Sequence, residues 1–404
     1  MAVTAPVVVS IPAQRAQEDN KEAGGLAPLA HHKKKGGFVN PWDSFTDQGM
    51  SPFVLWQMWR DWQSHPIPPP ELLPQIVPVN WGQSSSASPA ETAAWSKDLK
   101  STWLGHACFL VEWPTPEGAP AGTRGARVLF DPVFSNRCSP SQYIGPARVT
   151  KPPINLKELP HVDAVVISHN HYDHLDVATL KHIASQPEGT VHFFAPLGNA
   201  SWFTSTIGVK KDQVTELDWW GERDLKVKVG EGEGTEAHLR ITATPCQHFT
   251  GRGLHDRNDT LWASWAVTSP TGGSVWFGGD TGYKSVPRGA TSEEGLPVCP
   301  AFAEIGRRFG GFDLACIPIG AYSPRHIMSK VHCSPEDAVE LHVAVKSKKS
   351  IGMHWATWVL TDEEMTEPPK RLRAACEVKG ITPDQFGVCA IGETVRITPS
   401  LPSV

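Results

Sequence analysis

One short stretch constrains the fold of this 404-residue chain more than any other: His169-Asn170-His171-Tyr172-Asp173-His174. It follows the apolar run 162–167 and precedes a predicted helix near Asp176, so it lies where a strand ends. Four histidine or aspartate positions at this spacing arise by chance in roughly one chain in several hundred. Imidazole and carboxylate groups are zinc ligands, and alternate loop residues project to one side. The stretch therefore predicts a loop that faces metal ions.

Three residues at other predicted strand ends could complete such a site. His248 follows the run 239–244, Asp280 follows the run 274–278 within a glycine-rich turn, and His354 follows the run 350–353. Two zinc ions that each keep an open position need about seven protein ligands, so donors beyond the loop are required. Taken alone, each of the three could also be a core histidine or a turn aspartate.

Residues 101–398 have the pattern of a layered α/β fold. Short β-branched and aromatic runs predict strands at 107–113, 127–130, 162–167, 191–195, 239–244, 261–268 and 274–278. Helices are predicted at 176–185, 335–346 and 367–379, with Ser334 as the N-cap of the second and Pro335 at its first position. Strand runs with interspersed helices predict a sandwich of sheets and helices.

The first hundred residues have a different composition. Residues 1–37 mix Ala, Pro, Gln, Glu and Gly and end in the basic run 31–37, which predicts a disordered tail. That run could touch anionic lipid or help to address the chain to an organelle, or it could simply be solvated. Residues 38–100 form a Pro- and Trp-rich extension. Its stretch 53–62 predicts a helix with an apolar face, docked on the catalytic domain or seated in a membrane interface.

Charge and cysteine usage narrow the partners and the compartment. The net charge of −5 argues against nucleic acid as a partner. The eight cysteines form no CxxC pair, and they are interpreted as reduced, buried and intracellular. Neither a secretory signal nor a run of transmembrane length is recognisable, so we expect a chain that is intracellular, not secreted and at most peripheral to a membrane.

These residues together resemble the metallo-β-lactamase superfamily and, within it, the N-acylphosphatidylethanolamine-hydrolysing phospholipase D family. The histidine motif is typical of the superfamily, and further segments are similar to those of the phospholipase family. They are Asn40-Pro41-Trp42, Trp103-Leu104-Gly105-His106-Ala107, Ser139-Pro140-Ser141-Gln142-Tyr143-Ile144-Gly145-Pro146, Leu217-Asp218-Trp219-Trp220 and Ile319-Gly320-Ala321-Tyr322. The resemblance covers about residues 38–398 and implies the αββα sandwich of the metallo-β-lactamase fold.

The resemblance also implies two zinc ions per chain with seven ligands. One ion would be held by His169, His171 and His248 and the other by Asp173, His174 and His354, with Asp280 bridging both. A hydroxide shared by the two cations would attack the phosphodiester of an N-acylphosphatidylethanolamine. The products would be an N-acylethanolamine and phosphatidic acid. The implied partners are the lipid substrate, a membrane surface and a second copy of the chain in a homodimer.

Three residues near the predicted metals have open roles. Asp173 and His332 are the candidate catalytic residues, and Tyr172 and His332 are the candidate substrate contacts. His332 resembles a family histidine that could protonate the leaving alkoxide, but it could instead be a surface histidine at a helix start. Tyr172 could reach substrate or form a buried hydrogen bond. His106 is interpreted as structural rather than as a ligand.

Other functions remain open at this point. A hydrolase of another ester, a thioester or a lactone would use the same metals with a different pocket. An RNA-processing nuclease also fits the metal loop, but the acidic charge balance disfavours it. A protein that binds lipid without catalysis would keep the fold and lose the activity, which the complete set of seven donors argues against.

Overall fold

The computed structural model describes residues 7–12, 29–46, 65–82, 88–187, 191–231 and 235–400. The apolar helix predicted at residues 53–62 lies outside these ranges. Within them, no helix is both long enough and apolar enough to span a lipid bilayer.

Two β-sheets form the centre of the fold. Over the described residues the strands are β1 (Val8–Ser10), β2 (Leu99–Trp103), β3 (Phe109–Glu112), β4 (Arg127–Phe130), β5 (Ala164–Val166), β6 (His192–Pro196), β7 (Val214–Leu217), β8 (Glu222–Lys228), β9 (Glu236–Thr244), β10 (Ser264–Thr268), β11 (Ser274–Phe277), β12 (Phe312–Pro318), β13 (Ser347–Met353), β14 (Phe386–Gly387) and β15 (Thr394–Ile397). The sheet orders are β1-β8-β9-β10-β11-β12-β13-β14 and β15-β2-β3-β4-β5-β6-β7. Strands β11, β12, β13 and β14 run parallel to one another, as do β4, β5, β6 and β7, and the other pairings are antiparallel.

Helices cover the outer faces of both sheets. They are α1 (Pro89–Lys97), α2 (Val177–Ala184), α3 (Ala200–Trp202), α4 (Ala301–Phe309), α5 (Arg325–Met328), α6 (Pro335–Ala344) and α7 (Glu367–Lys379), with short 3-10 turns at Pro70–Leu72, Leu156–Glu158 and Lys211–Gln213 and a π-helical turn at Phe203–Ile207. Helix α6 begins as predicted. The Ser334 side chain accepts the N–H of Asp337, and the Asp337 carboxylate accepts the N–H of Ser334.

Two hydrophobic cores hold the layers together. Between the sheets, the rings of Phe130 and Phe277 stack with centroids 4.8 Å apart, and removal of either ring would cost about 3–5 kcal/mol. Outside the seven-stranded sheet, Leu180 of α2 is buried in a second cluster. Outside the other sheet, Phe302 of α4 packs edge-on against Trp276 of β11. The layers therefore run helix, sheet, sheet, helix, which confirms the predicted αββα sandwich.

The described parts of the amino-terminal stretch differ from the disordered tail predicted for residues 1–37. Strand β1 pairs with β8, with Val9 opposite Leu225, and His32 forms a β-bridge with Phe38. The reason is that an edge strand supplies backbone hydrogen-bonding groups that a short, weakly apolar segment can satisfy. The border drawn between residues 100 and 101 falls inside a strand, because β2 begins at Leu99.

Candidate metal centre

The predicted donors meet because the carboxyl ends of four strands lie at the same edge of the sandwich. His169 follows β5, His248 follows β9, Asp280 follows β11 and His354 directly follows β13. The loop that begins at His169 is closed by a turn, in which the N–H of His174 bonds to the carbonyl of His171 at 3.1 Å. Strand order thus brings together residues that are far apart in sequence.

The first donor group consists of His169, His171, His248 and Asp280. Their ligand atoms all lie within 4.8 Å of one another. Nε2 of His169 is 2.8 Å from Nδ1 of His171, and this Nδ1 is 3.3 Å from Nε2 of His248. Three imidazoles converging on one point are a typical environment for a transition-metal ion.

The second donor group consists of Asp173, His174, His354 and His106, again within 4.8 Å. Oδ2 of Asp173 is 3.4 Å from Nε2 of His174 and 3.5 Å from Nε2 of His354. The same oxygen is 3.0 Å from Nε2 of His106, which can donate a hydrogen bond to it. His106 therefore orients a donor, in keeping with its predicted structural role.

Asp280 joins the two groups. Its Oδ2 lies 3.7 Å from Nε2 of His169 and 3.8 Å from Nε2 of His248, both in the first group. The same Oδ2 is 3.0 Å from Nε2 of His174, and Oδ1 is 3.0 Å from Nε2 of His354, both in the second group. The carboxylate thus occupies the place expected of a bridging ligand.

The backbone around the centre is strained. Left-handed φ angles at non-glycine residues cost of order 1–3 kcal/mol each, and several lie here. They are His106 (53°), Asp131 (38°), Ala321 (64°), His354 (65°) and Ala356 (57°). Gly279, with φ of 58°, precedes the bridging aspartate, and a Cβ there would lie 2.6 Å from the Cβ of Ser168. Only glycine allows this approach of the two loops.

Asp131 holds one histidine from each donor group. Its Oδ2 is 2.7 Å from Nδ1 of His174 and 2.5 Å from the hydroxyl of Ser168, and its Oδ1 accepts the N–H of Ser168. The Ser168 hydroxyl is in turn 2.9 Å from Nδ1 of His169. Such contacts fix the ring orientation and tautomer of metal-binding histidines, leaving Nε2 for the metal.

The predicted ligand His248 is held in place from two sides. Its Nδ1 is 2.8 Å from the carbonyl oxygen of Val331, so Nε2 points into the first donor group. Its own carbonyl accepts a hydrogen bond of 2.8 Å from the side chain of Asn40. Next to it, Gln247 accepts a hydrogen bond from Ser44. The amino-terminal segment therefore positions the loop that carries a ligand.

The electrostatics of the centre suit cation binding. Burial lowers the pKa of His169 well below 6.5 and that of His171 to about 4, so both are neutral, as metal ligands must be. Burial raises the pKa of Asp280, but His174, His354 and His332 together outweigh it and hold the carboxyl well below its usual range. Burial also lowers the pKa of His354, yet Asp280 and its neighbours raise it to about 9. The carboxylates therefore favour a positive charge at this position, as they would favour a metal ion.

Buried polar atoms give an independent test of the fit. Nε2 of His174, Nε2 of His354 and Oδ1 of Asp280 are buried without a hydrogen-bond partner among the described residues, although the opposing atoms are 3.0 Å apart. Buried polar groups left in this way are rare and costly in folded proteins. Coordination of divalent cations would satisfy all three atoms, so the donor set fits a metal centre.

The two predicted substrate contacts have different surroundings. Nε2 of His332 is 4.0 Å from Oδ2 of Asp280, and its buried Nδ1 has no hydrogen-bond partner within the described ranges. Its contact with a substrate therefore stays a prediction. The hydroxyl of Tyr172 donates to the carbonyl of Arg252 at 3.0 Å, and the Arg252 guanidinium lies 3.9 Å from the ring centroid. Its substrate contact remains a prediction.

Two residues of the centre were missed by sequence reasoning. Asp131 and Ser168 follow strands β4 and β5 directly or within two residues, but an aspartate before a proline resembles a turn. The signal that could have found Asp131 is its place at the carboxyl end of a strand neighbouring β5, where the other donors also lie.

Comparisons with known proteins agree with this geometry. Residues 126–355, more than half of the chain, match the sequence model of the Beta-lactamase superfamily domain, and this stretch contains all seven predicted ligands. An uncharacterized protein of Mycobacterium tuberculosis is 36% identical over 356 residues, which cover 86% of this chain and 80% of that protein. The N-acyl-phosphatidylethanolamine-hydrolyzing phospholipase D 1 of Caenorhabditis elegans is 38% identical over 285 residues, 70% of each chain. A solved structure of a possible metal-dependent hydrolase from Veillonella parvula has the same fold, with a TM-score of 0.51, 16% identity and coverage of 74% of this chain and 99% of that one.

Proposed function

Because this chain belongs to the β-lactamase superfamily and is a metal-dependent hydrolase, we propose that it hydrolyses the phosphodiester bond of an N-acylphosphatidylethanolamine. The products are an N-acylethanolamine and phosphatidic acid. The observation that carries the proposal is the pair of donor groups joined by Asp280. Two divalent cations held there would be close enough to bind the same phosphate. The substrate class is supported by the name of the Caenorhabditis elegans relative.

Two zinc ions are the proposed cofactor. The first would bind His169, His171 and His248 and the second Asp173, His174 and His354, with Asp280 shared between them. When bound, the metals supply Lewis-acid stabilisation of phosphate charge and lower the pKa of water. The protein supplies orientation, because Asp131 fixes the ring of His174 and Ser168 fixes the ring of His169.

The proposed reaction breaks the phosphorus–oxygen bond on the ethanolamine side. Water adds to phosphorus, and the ethanolamine oxygen leaves with the N-acylethanolamine and takes up a proton. His332 is 8% exposed, and its ring centroid is 5.3 Å from that of His354. We assign its unpartnered Nδ1 a hydrogen bond to the substrate at this point of the reaction.

Exposed apolar side chains near the centre support a lipid substrate. Leu254 is 95% exposed, Tyr143 92% and Ile144 70%. The loop of Leu254 lies against the metal loop, because the Arg252 guanidinium donates to the carbonyl of Asn170 at 2.8 Å. The indole N–H of Trp358 donates to the carbonyl of Asn136, in the loop that also carries Tyr143 and Ile144, and the Trp358 ring packs edge-on against His106. These residues suit the headgroup boundary of a bilayer, so the enzyme would act as a peripheral membrane protein.

Product identification tests the proposal. Zinc-loaded protein is incubated with vesicles that contain N-acylphosphatidylethanolamine, unacylated phosphatidylethanolamine, a simple thioester or a lactone, and the products are identified by mass. We expect N-acylethanolamine and phosphatidic acid from the first substrate, at a rate well above all the others. Preferred turnover of the thioester or lactone would assign the site to another class of hydrolase, and no turnover by metal-loaded protein would leave a lipid-binding function.

Isotope labelling tests which bond breaks. In ¹⁸O-labelled water, attack at phosphorus places one label in phosphatidic acid and none in the N-acylethanolamine. Label in the N-acylethanolamine would mean carbon–oxygen cleavage. Added ethanol should give little phosphatidylethanol, because the mechanism contains no phosphatidyl-enzyme intermediate.

A further inference from the structure

A third group of metal-type donors lies outside the catalytic centre. It consists of His31, His32 and Asp218, whose ligand atoms are within 4.8 Å of one another. Nε2 of His31 is 2.6 Å from Oδ1 of Asp218, and Nε2 of His32 is 2.8 Å from Oδ2. None of these residues has a role in the proposed hydrolysis, and the two histidines come from the stretch that the sequence predicted to be a disordered tail.

The surrounding structure holds the three side chains in place. The ring of His31 stacks on Trp219 with centroids 4.2 Å apart and planes 22° apart. The N–H of His32 bonds to the carbonyl of Leu29 at 2.8 Å, which closes a turn and points both neighbouring imidazoles at the same carboxylate. The N–H of Trp219 bonds to Oδ1 of Asp218 at 2.8 Å and fixes that carboxylate. The group is therefore preorganised rather than a chance meeting of flexible side chains.

The chemistry of the group suits a divalent transition metal. Imidazole nitrogen and carboxylate oxygen bind zinc at about 2.0–2.2 Å, so two ligands of one tetrahedral ion lie about 3.4 Å apart. The observed separations of 2.6 and 2.8 Å are hydrogen-bond distances, and they would have to widen by roughly half an ångström or more to admit the ion. The side chain of His31 is 9% exposed, whereas those of His32 and Asp218 are 32% and 26% exposed. Water can therefore complete the coordination from the open side.

We propose that His31, His32 and Asp218 bind one divalent transition-metal ion, such as Zn²⁺, which fastens the amino-terminal segment 29–46 to the loop after β7. The same segment contacts the catalytic loop, because Asn40 donates to the carbonyl of His248. The ion thus has a structural role next to the catalytic centre. The exposed lysines 33–35 would repel a cation, although solvent screens part of their charge. We therefore expect the ion to bind here more weakly than at the buried centre.

A zinc titration of the holoenzyme tests the site. Protein with its catalytic centre loaded is freed of excess metal and titrated with Zn²⁺ by calorimetry, with metal content measured by mass spectrometry. The variants are His32→Gln and Asp218→Asn. His238→Gln is the matched control, because His238 also pairs with a single carboxylate, Glu236 at 2.6 Å, but belongs to no three-donor group within the described residues.

The wild type and His238→Gln should each bind one more zinc ion than His32→Gln and Asp218→Asn. Added zinc should also raise the Tm of the first two proteins and leave that of the other two unchanged. Equal stoichiometry in all four proteins would overturn the proposal, and so would an extra ion that persists in His32→Gln. Because the readouts are metal content and Tm, the test of this metal site does not depend on which lipid the protein hydrolyses.

Discussion

Asp131→Asn should weaken metal binding while the chain stays folded. The Asp131 carboxylate has three donors: the N–H and hydroxyl of Ser168 and Nδ1 of His174. An amide of the same shape must place its NH₂ group at one of the two oxygen positions. At the Oδ1 position this NH₂ group faces the Ser168 N–H, so two donors meet and no hydrogen bond can form between them. At the Oδ2 position it meets Nδ1 of His174, which must then accept a hydrogen bond rather than donate one, so the ring proton moves to Nε2, the metal-facing atom.

Both arrangements should lower the affinity for metal. Loss of a group that orients a metal-binding histidine typically costs 10- to 100-fold in affinity, which is about 1.4–2.7 kcal/mol. Asp131→Ala should be worse for stability, because three buried donors lose their acceptor together. Breaking a buried charged network of this kind costs about 3–5 kcal/mol of unfolding free energy. The asparagine variant separates the two effects because it nearly preserves volume and packing.

The assay is a competition titration with a chromophoric chelator, together with thermal unfolding of the metal-free proteins. Asp163→Asn is the control, since Asp163 is also buried and accepts bonds of 2.6 Å from the Arg124 guanidinium and 2.8 Å from the Arg127 N–H. It touches neither donor group. The control should lose stability and keep its metal affinity. An Asp131→Asn variant that binds metal within threefold of the wild type would refute the argument from the tautomer.

Three further changes have expected outcomes. Asp280→Asn should release metal from both donor groups and reduce turnover at least tenfold, since one carboxylate faces both; full metal content with more than a tenth of the rate would exclude a bridging role. Tyr143→Ser with Ile144→Ser should lower vesicle binding in flotation without changing metal content; unchanged binding would place the membrane contact elsewhere. Burial lowers the pKa of His192 to about 4, so its stability contribution is present above pH 6.5 and is lost as pH falls towards 4. His192→Gln should therefore lose about 2 kcal/mol less unfolding free energy than the wild type between pH 7 and pH 5, as chemical denaturation at each pH can show.

The residues of the two donor groups were predictable from sequence because their signal is local. The loop from His169 to His174 has a fixed spacing, and His248, Asp280 and His354 each follow a recognisable apolar run. The seven predicted strand runs all coincide with observed strands to within a few residues, and helix α7 has the predicted ends. A pattern that depends only on neighbours in sequence is visible before the fold is known.

Strand β2 and the first part of β13 were not predicted, because residues outside these segments bury them. Strand β2 contains Lys100, which is 3% exposed and pairs with Glu112 of β3 at 2.9 Å. A lysine in a short polar run predicts a surface loop. Only an ion pair with a residue on the next strand offsets the cost of burying the lysine. Strand β13 was recognised only over residues 350–353, because it begins with Ser347 and two lysines and its regular pairing comes from parallel neighbours on both sides. Neither partner can be read from the segment itself.

The amino-terminal segment shows the same limit at longer range. His31 and Asp218 are 187 positions apart, so no spacing could have joined them. In the fold, Phe38 and Trp42 are 7% and 8% exposed within the main core, and Trp42 stacks on Trp219 at 5.2 Å. The segment that precedes the two sheets is thus part of their core, and through Asn40 it supports the loop that carries His248. A composition that cannot bury a core alone can still complete one that other strands have built.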